Sequence, residues 1–104
     1  MSEDDRARTG RLLMAKARGF TQGFEKMSES DRRGSPAASY GRDYNRLRQQ
    51  VIETFGELEP LLPPEARIGT SATTGAAFTV DEYAELATYC EQVHEMLAVE
   101  CGRG

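Results

Sequence analysis

The stretch from Tyr40 to Leu58, YGRDYNRLRQQVIETFGEL, carries the clearest periodicity in the chain. Its apolar residues recur every three or four positions, which places them on one narrow side of an α-helix at about 100° per residue. These residues are Tyr40, Tyr44, Leu47, Val51, Phe55 and Leu58. Arg42, Arg46 and Glu53 fall on the other side. The stretch therefore predicts an amphipathic helix with one buried face.

The ends of this helix are marked by residues that begin or stop helices. Ser35 followed by Pro36 is typical of an N-cap and a first helical position. Pro60 pushes the residue before it out of the helical region, and Gly56 offers an earlier end as a C-terminal glycine. We predict a helix over about residues 36–58.

A second helix has the strongest start signal in the chain. Thr79 and Glu82 have the T-x-x-E spacing of a capping box, and Phe78 with Tyr83 has the spacing of a hydrophobic staple. The pattern predicts a helix over about residues 80–101 with one apolar face. Its opposite face is acidic through Glu85, Glu91 and Glu95.

Residues 59–77 join these two helices and contain three prolines and two glycines. Strand signals are nearly absent, so we predict a long irregular loop, which is uncommon inside a compact domain. The two helices are expected to form an antiparallel pair. Because two helices make only a thin core, a third helix or a second chain must complete it.

A third amphipathic helix is predicted over residues 5–27. Gly19 and Gly23 each cost about 1 kcal/mol relative to alanine inside a helix, so this helix needs contacts to stay folded. Ala15, Gly19 and Gly23 form a row of small residues that lets another helix approach closely. A helix that breaks or frays near Gly19 is the alternative. Residues 28–35 have the composition of a linker.

The predicted fold is thus a small all-α, three-helix protein. Residues 1–34 form a basic amphipathic helix with its linker, residues 35–104 form a helical core domain, and the two make one compact unit. A length of 104 residues is close to the commonest domain size.

Charge is divided unevenly along the chain. Residues 1–34 have a net charge of +2 and residues 35–104 have −6, for a total of −4. No segment approaches the roughly 20 apolar residues that a membrane span needs, and no apolar secretory signal is present. Cys90 and Cys101 are eleven positions apart in one predicted helix, too far to bridge each other. We therefore expect a cytoplasmic protein with reduced thiols and no membrane span.

Cys90, His94 and Cys101 share one face of the last predicted helix, which invites a metal or redox interpretation. Zinc sites need about four converging ligands, and the chain has no other cysteine or histidine. Burial in the apolar face is the commoner role for such residues. We predict no cofactor and, because no catalytic motif is present, no enzymatic activity.

A basic run in the first helix allows a nucleic-acid interpretation, since clustered cations contact phosphates. The run consists of Arg6, Arg8, Arg11, Lys16 and Arg18. A solvated helix, or one that faces the acidic helix of the same protein, is the other interpretation.

The favoured function is that of a non-catalytic helical interaction protein that self-associates or docks on a larger protein. Its partner-binding residues are predicted on the first helix, and they are Leu13, Gly19, Phe20, Gly23 and Phe24. A nucleic-acid-binding accessory protein is the alternative, and a metal or redox site at Cys90, His94 and Cys101 is the third hypothesis.

Overall fold

The computed structural model describes residues 3–34 and 36–101. Over these residues the structure is mostly helical, with a minimal two-stranded sheet, and the predicted all-α fold is confirmed. The elements are α1 (Glu3–Glu25), α2 (Glu29–Arg32), α3 (Ala38–Thr54), a 3₁₀ helix (Gly56–Leu61), β1 (Ile68–Thr70), β2 (Ala77–Thr79) and α4 (Tyr83–Glu100). None of these helices is long and apolar enough to cross a membrane.

Helix α1 runs without interruption through both of its interior glycines, Gly19 and Gly23. It supplies Leu13 and Ala17 to the main apolar cluster of the described residues. The other members of that cluster come from the rest of the chain, and they are Leu47, Val51, Phe55, Leu58, Val93 and Leu97. The first helix therefore completes the core of its own chain.

The predicted linker between the first two long helices contains a short helix. Ser28 caps α2 by accepting a hydrogen bond from the backbone N–H of Asp31 at 3.1 Å. Ser35, the predicted cap of α3, lies outside the described residues. The N-cap of α3 is Ala37, whose methyl side chain cannot accept a hydrogen bond from the first turn.

Helices α3 and α4 run in the same direction, which corrects the antiparallel pairing predicted from the sequence. The rings of Tyr40 and Tyr83 pack edge to face with centroids 5.2 Å apart. Further along both helices, the rings of Tyr44 and Tyr89 lie 5.9 Å apart. Because the contacting residues move toward the C-terminus on both helices, α3 and α4 are parallel.

Helix α1 runs antiparallel to both of its neighbours. Near its start, the Arg6 Nε donates to the carbonyl of Thr54 at the end of α3, and near its end Phe20 packs against Tyr40. The Cys101 thiol at the end of α4 lies 3.8 Å from the carbonyl oxygen of Ala7.

Parallel helices need a connection that returns the chain to its starting end, and residues 56–82, here called the return segment, provide it. The Arg48 Nε donates to the carbonyl of Pro63 at 2.7 Å, and the Tyr44 hydroxyl donates to that of Pro64 at 3.0 Å. Later in the return segment, Thr79 bonds Ala37 just before α3 begins, so the segment brings the chain back to the start of α3. The long connection is thus fixed along the side of α3.

The later part of the return segment forms a hairpin where the sequence showed almost no strand signal. Ile68 pairs with Thr79 in an antiparallel register, and the Thr79 hydroxyl donates to the carbonyl of Ala37 at 2.7 Å. A Cβ on Gly41 would lie 2.6 Å from the Thr79 hydroxyl oxygen. The missing side chain of Gly41 is what allows the hairpin to pack so closely on α3.

Helix α4 begins three residues later than predicted, at Tyr83. The hydroxyl expected to cap it belongs to Thr79, which is fully buried and bonded to Ala37. The capping box is formed instead by Glu82 and Glu85. Helix α3 is also shorter than predicted, because it ends at Thr54 before the 3₁₀ helix.

Candidate interaction surface

An open groove of about 500 Å³ lies between α1 and α3 on the side away from the return segment. We call it the α1–α3 groove, and its lining residues are Lys16, Gly19, Phe20, Gly23, Tyr40, Asp43, Arg46, Leu47 and Gln50. The Lys16 ammonium donates to the Gln50 side-chain oxygen at 3.2 Å across it. Beyond this bond a second depression, lined in part by Leu12 and Leu13, continues toward the start of α1.

The structure separates the five residues predicted to bind a partner. Leu13 is only 3% exposed and belongs to the core. Phe20 is half-buried against Tyr40, with ring centroids 5.0 Å apart. Phe24 is half-buried under the Arg32 guanidinium, 4.6 Å from its ring centroid. Gly19 and Gly23 are exposed at the wall of the α1–α3 groove.

These two glycines are not required by the internal packing of the chain. A Cβ built on Gly19 or on Gly23 would meet no packed neighbour within 4 Å. Gly10 is the opposite case, because a Cβ there would collide with the Cys101 sulfur. The two exposed glycines therefore lower the helical stability of α1. No close contact among the described residues explains why glycine stands at these positions.

Leu12 is a surface residue that was not predicted from the sequence to contact a partner. It is 61% exposed and lies beside the α1–α3 groove. Its offsets of seven and eleven residues from Gly19 and Gly23 place all three on one side of the helix. That spacing was the signal from which it could have been found.

Two of the five basic residues of α1 are used inside the chain. The Arg6 guanidinium lies 4.6 Å from the ring centroid of Phe55 and pairs with the Glu57 carboxylate. Lys16 is bonded to Gln50, as described above.

The other three, Arg8, Arg11 and Arg18, are exposed. Arg18 lines a polar groove between α1 and α4 together with Glu25, Glu91, His94 and Glu95. Arg18 therefore borders acidic side chains of α1 and α4. Binding of nucleic acid stays a prediction.

The three candidate metal ligands have different surroundings. Cys90 is fully buried beside Tyr44 and Leu86, and this burial raises the pKa of its thiol to about 12. His94 lines the polar groove between α1 and α4. Cys101 packs against Gly10, and burial raises the pKa of its thiol as well. Within residues 3–34 and 36–101, no group of three or more potential ligands is placed to hold a metal ion.

Comparison of the chain with family models, curated proteins and solved structures gives no match.

Proposed function

We propose that the protein is a non-catalytic interaction module that self-associates through the exposed side of α1 and the α1–α3 groove. The observation that carries the proposal is the pair Gly19 and Gly23. Each glycine destabilises α1 and leaves an open space in the wall of the groove. Small residues at such positions let the backbone of a second helix approach closely.

A second copy of the chain is the occupant that fits this surface. Leu12 supplies a large exposed apolar side chain on the same side of α1 as the two glycines. In an antiparallel pair of α1 helices with a two-fold axis between positions 17 and 18, Leu12 of each copy lies opposite Gly23 of the other. The same arrangement places Lys16 opposite Gly19. Such a surface is self-complementary, as a two-fold dimer requires.

The double variant Gly19→Ala/Gly23→Ala tests the proposal because stability and assembly should change in opposite directions. In dilute solution, where the chain is monomeric, its free energy of unfolding should rise by about 1–2 kcal/mol from the higher helical propensity of alanine. The added methyl groups should hold the second copy away and weaken the dimer by about tenfold or more. Urea titration measures the first effect and sedimentation equilibrium measures the second.

Gly56→Ala is the matched control, since a Cβ at Gly56 also meets no packed neighbour and the site is remote from the groove. It should leave the dimer dissociation constant unchanged. Leu12→Ser should weaken the dimer without unfolding the chain, because its side chain is largely exposed. The proposal would be refuted if the chain stayed monomeric at all concentrations. It would also be refuted if the double variant had the same dimer dissociation constant as the parent.

A further inference from the structure

A further groove, of about 650 Å³, lies between the end of the 3₁₀ helix and the outer side of α4. We call it the α4 groove, and it is lined by Leu61, Thr88, Glu91, Gln92, Glu95 and Met96. Leu61 is 71% exposed, whereas the next residue, Leu62, packs against the core. An apolar side chain thus faces solvent beside a half-buried methionine.

The apolar surface extends along α4 to Val99, which is 70% exposed. Val99 follows Gln92 by seven residues and Glu95 by four, so it lies on the same side of the helix as the groove. From Thr88 to Val99 this side measures about 16 Å at 1.5 Å per residue. That length is matched by roughly three turns of a bound helix.

The charge around the α4 groove is predominantly negative. Residues 82–100 contain five glutamates and no lysine or arginine. The 3₁₀ helix adds Glu57, which Arg6 pairs, and the exposed Glu59. Arg18 reaches the border of the region in a groove where it meets three glutamates. The surface therefore keeps an excess of negative charge, which attracts cations and repels nucleic acid and anionic lipid.

We propose that the α4 groove binds a basic amphipathic helix of a partner protein. The apolar side of that helix packs on Leu61, Met96 and Val99, and its lysines and arginines face the glutamates. This is the helix-in-groove mode of recognition, with charge complementarity selecting the partner. The α4 groove shares no lining residue with the α1–α3 groove, so this second surface does not rest on self-association.

Fluorescence anisotropy with a labelled helical peptide of leucine and lysine in an amphipathic pattern tests the proposal. A second peptide keeps every leucine and replaces every lysine by glutamate. The cationic peptide should bind at least about tenfold more tightly than the anionic one, and its affinity should fall as salt screens the charges. Equal binding of the two peptides would overturn the proposal.

Variants then locate the bound peptide. Leu61→Ser and the pair Glu91→Gln/Glu95→Gln should each weaken cationic peptide binding by about fivefold or more, while Leu12→Ser, in the other groove, should leave it unchanged. Equal losses for Leu61→Ser and Leu12→Ser would indicate non-specific attraction and overturn the proposal. The proposal would also be overturned if the Leu61→Ser variant retained peptide binding but no longer self-associated. The α4 groove would then be a contact surface for a second copy of the chain. Loss of the dimer in Leu12→Ser alone reports on the α1–α3 groove and leaves this inference intact.

Discussion

Asp81 is a buried carboxylate that joins the return segment to the start of α4. It is 3% exposed and accepts a hydrogen bond from the backbone N–H of Arg67 at 2.7 Å. The Arg67 guanidinium donates two more, at 2.9 and 3.2 Å. Burial alone would raise the pKa of this carboxyl, but the hydrogen bonds and charge of Arg67 hold it below its usual value.

The lowered pKa predicts that the Asp81 contribution to stability depends on pH. It is fully present above the pKa of the unfolded chain, about 3.9, and is lost as pH falls through the lower pKa of the folded state. Asp81→Asn should reduce the free energy of unfolding by about 1–2 kcal/mol at pH 7. Urea titrations should show this difference shrinking as the pH approaches 3.

Glu65→Gln is the control for this measurement. Its carboxylate lies 3.8 Å from the Arg48 guanidinium but is 68% exposed, and exposed ion pairs contribute little to stability. The substitution should change the free energy of unfolding by less than about 0.5 kcal/mol. An Asp81→Asn variant as stable as this control at pH 7 would show that the buried contact contributes nothing.

At the scale of elements, periodic patterns were predictable and long-range hydrogen bonds were not. The apolar side of α3 is buried as predicted, from Tyr44 through Leu47 to Val51, and Leu58 of the following 3₁₀ helix is buried as well. The start of α4 was misplaced because a T-x-x-E pattern is local, whereas the Thr79 hydroxyl bonds Ala37, 42 residues away. No local pattern in the chain reveals such a partner.

The return segment was predicted as a loop, and its anchoring could not be deduced from its own composition. Three neighbouring side chains of α3 hold it, and none of them carries a sequence signal for that role. Asn45 is the central one, since its amide donates to the carbonyl of Ala66 at 3.0 Å and its oxygen accepts the Ala66 N–H at 2.7 Å. Ala66 itself is buried.

Asn45→Ala should therefore destabilise the chain by about 2 kcal/mol, because it leaves a backbone donor and acceptor of a buried residue without partners. Urea titration measures the loss, and hydrogen exchange of the Ala66 amide should accelerate. Gln49→Ala, at an exposed position of the same helix, should leave both unchanged. Similar effects of the two substitutions would mean that α3, and not the return segment, had been weakened.

For the whole molecule, the sequence indicated that α3 and α4 needed either a third helix or a second chain to complete the core, and α1 of the same chain supplies the missing helix. The direction of α3 relative to α4 could not be predicted, because a helix has the same amphipathic pattern in a parallel pair as in an antiparallel pair. The residue types alone identified Gly19 and Gly23 as candidates, and their role in binding a partner stays a prediction. The sequence could not show that Leu13 lies in the core or that Arg6 is already paired with Glu57.

The antiparallel packing of α1 on α4 brings together residues that are far apart along the chain. Ala7 and Cys101 are 94 positions apart and in contact. Because folding slows as contacting residues become more distant in sequence, this small helical protein should fold more slowly than an up-and-down bundle of its size. A circular permutant that links position 104 to position 1 and opens between Thr73 and Thr74, in the exposed hairpin turn, makes these contacts local.

That permutant should keep the far-ultraviolet circular dichroism of the parent and refold faster in stopped-flow experiments. The matched control opens the chain at the same turn and leaves positions 1 and 104 unjoined, so that the two pieces must find each other. A permutant that folds at the parent rate would show that docking of α1 on α4 is not the slow step.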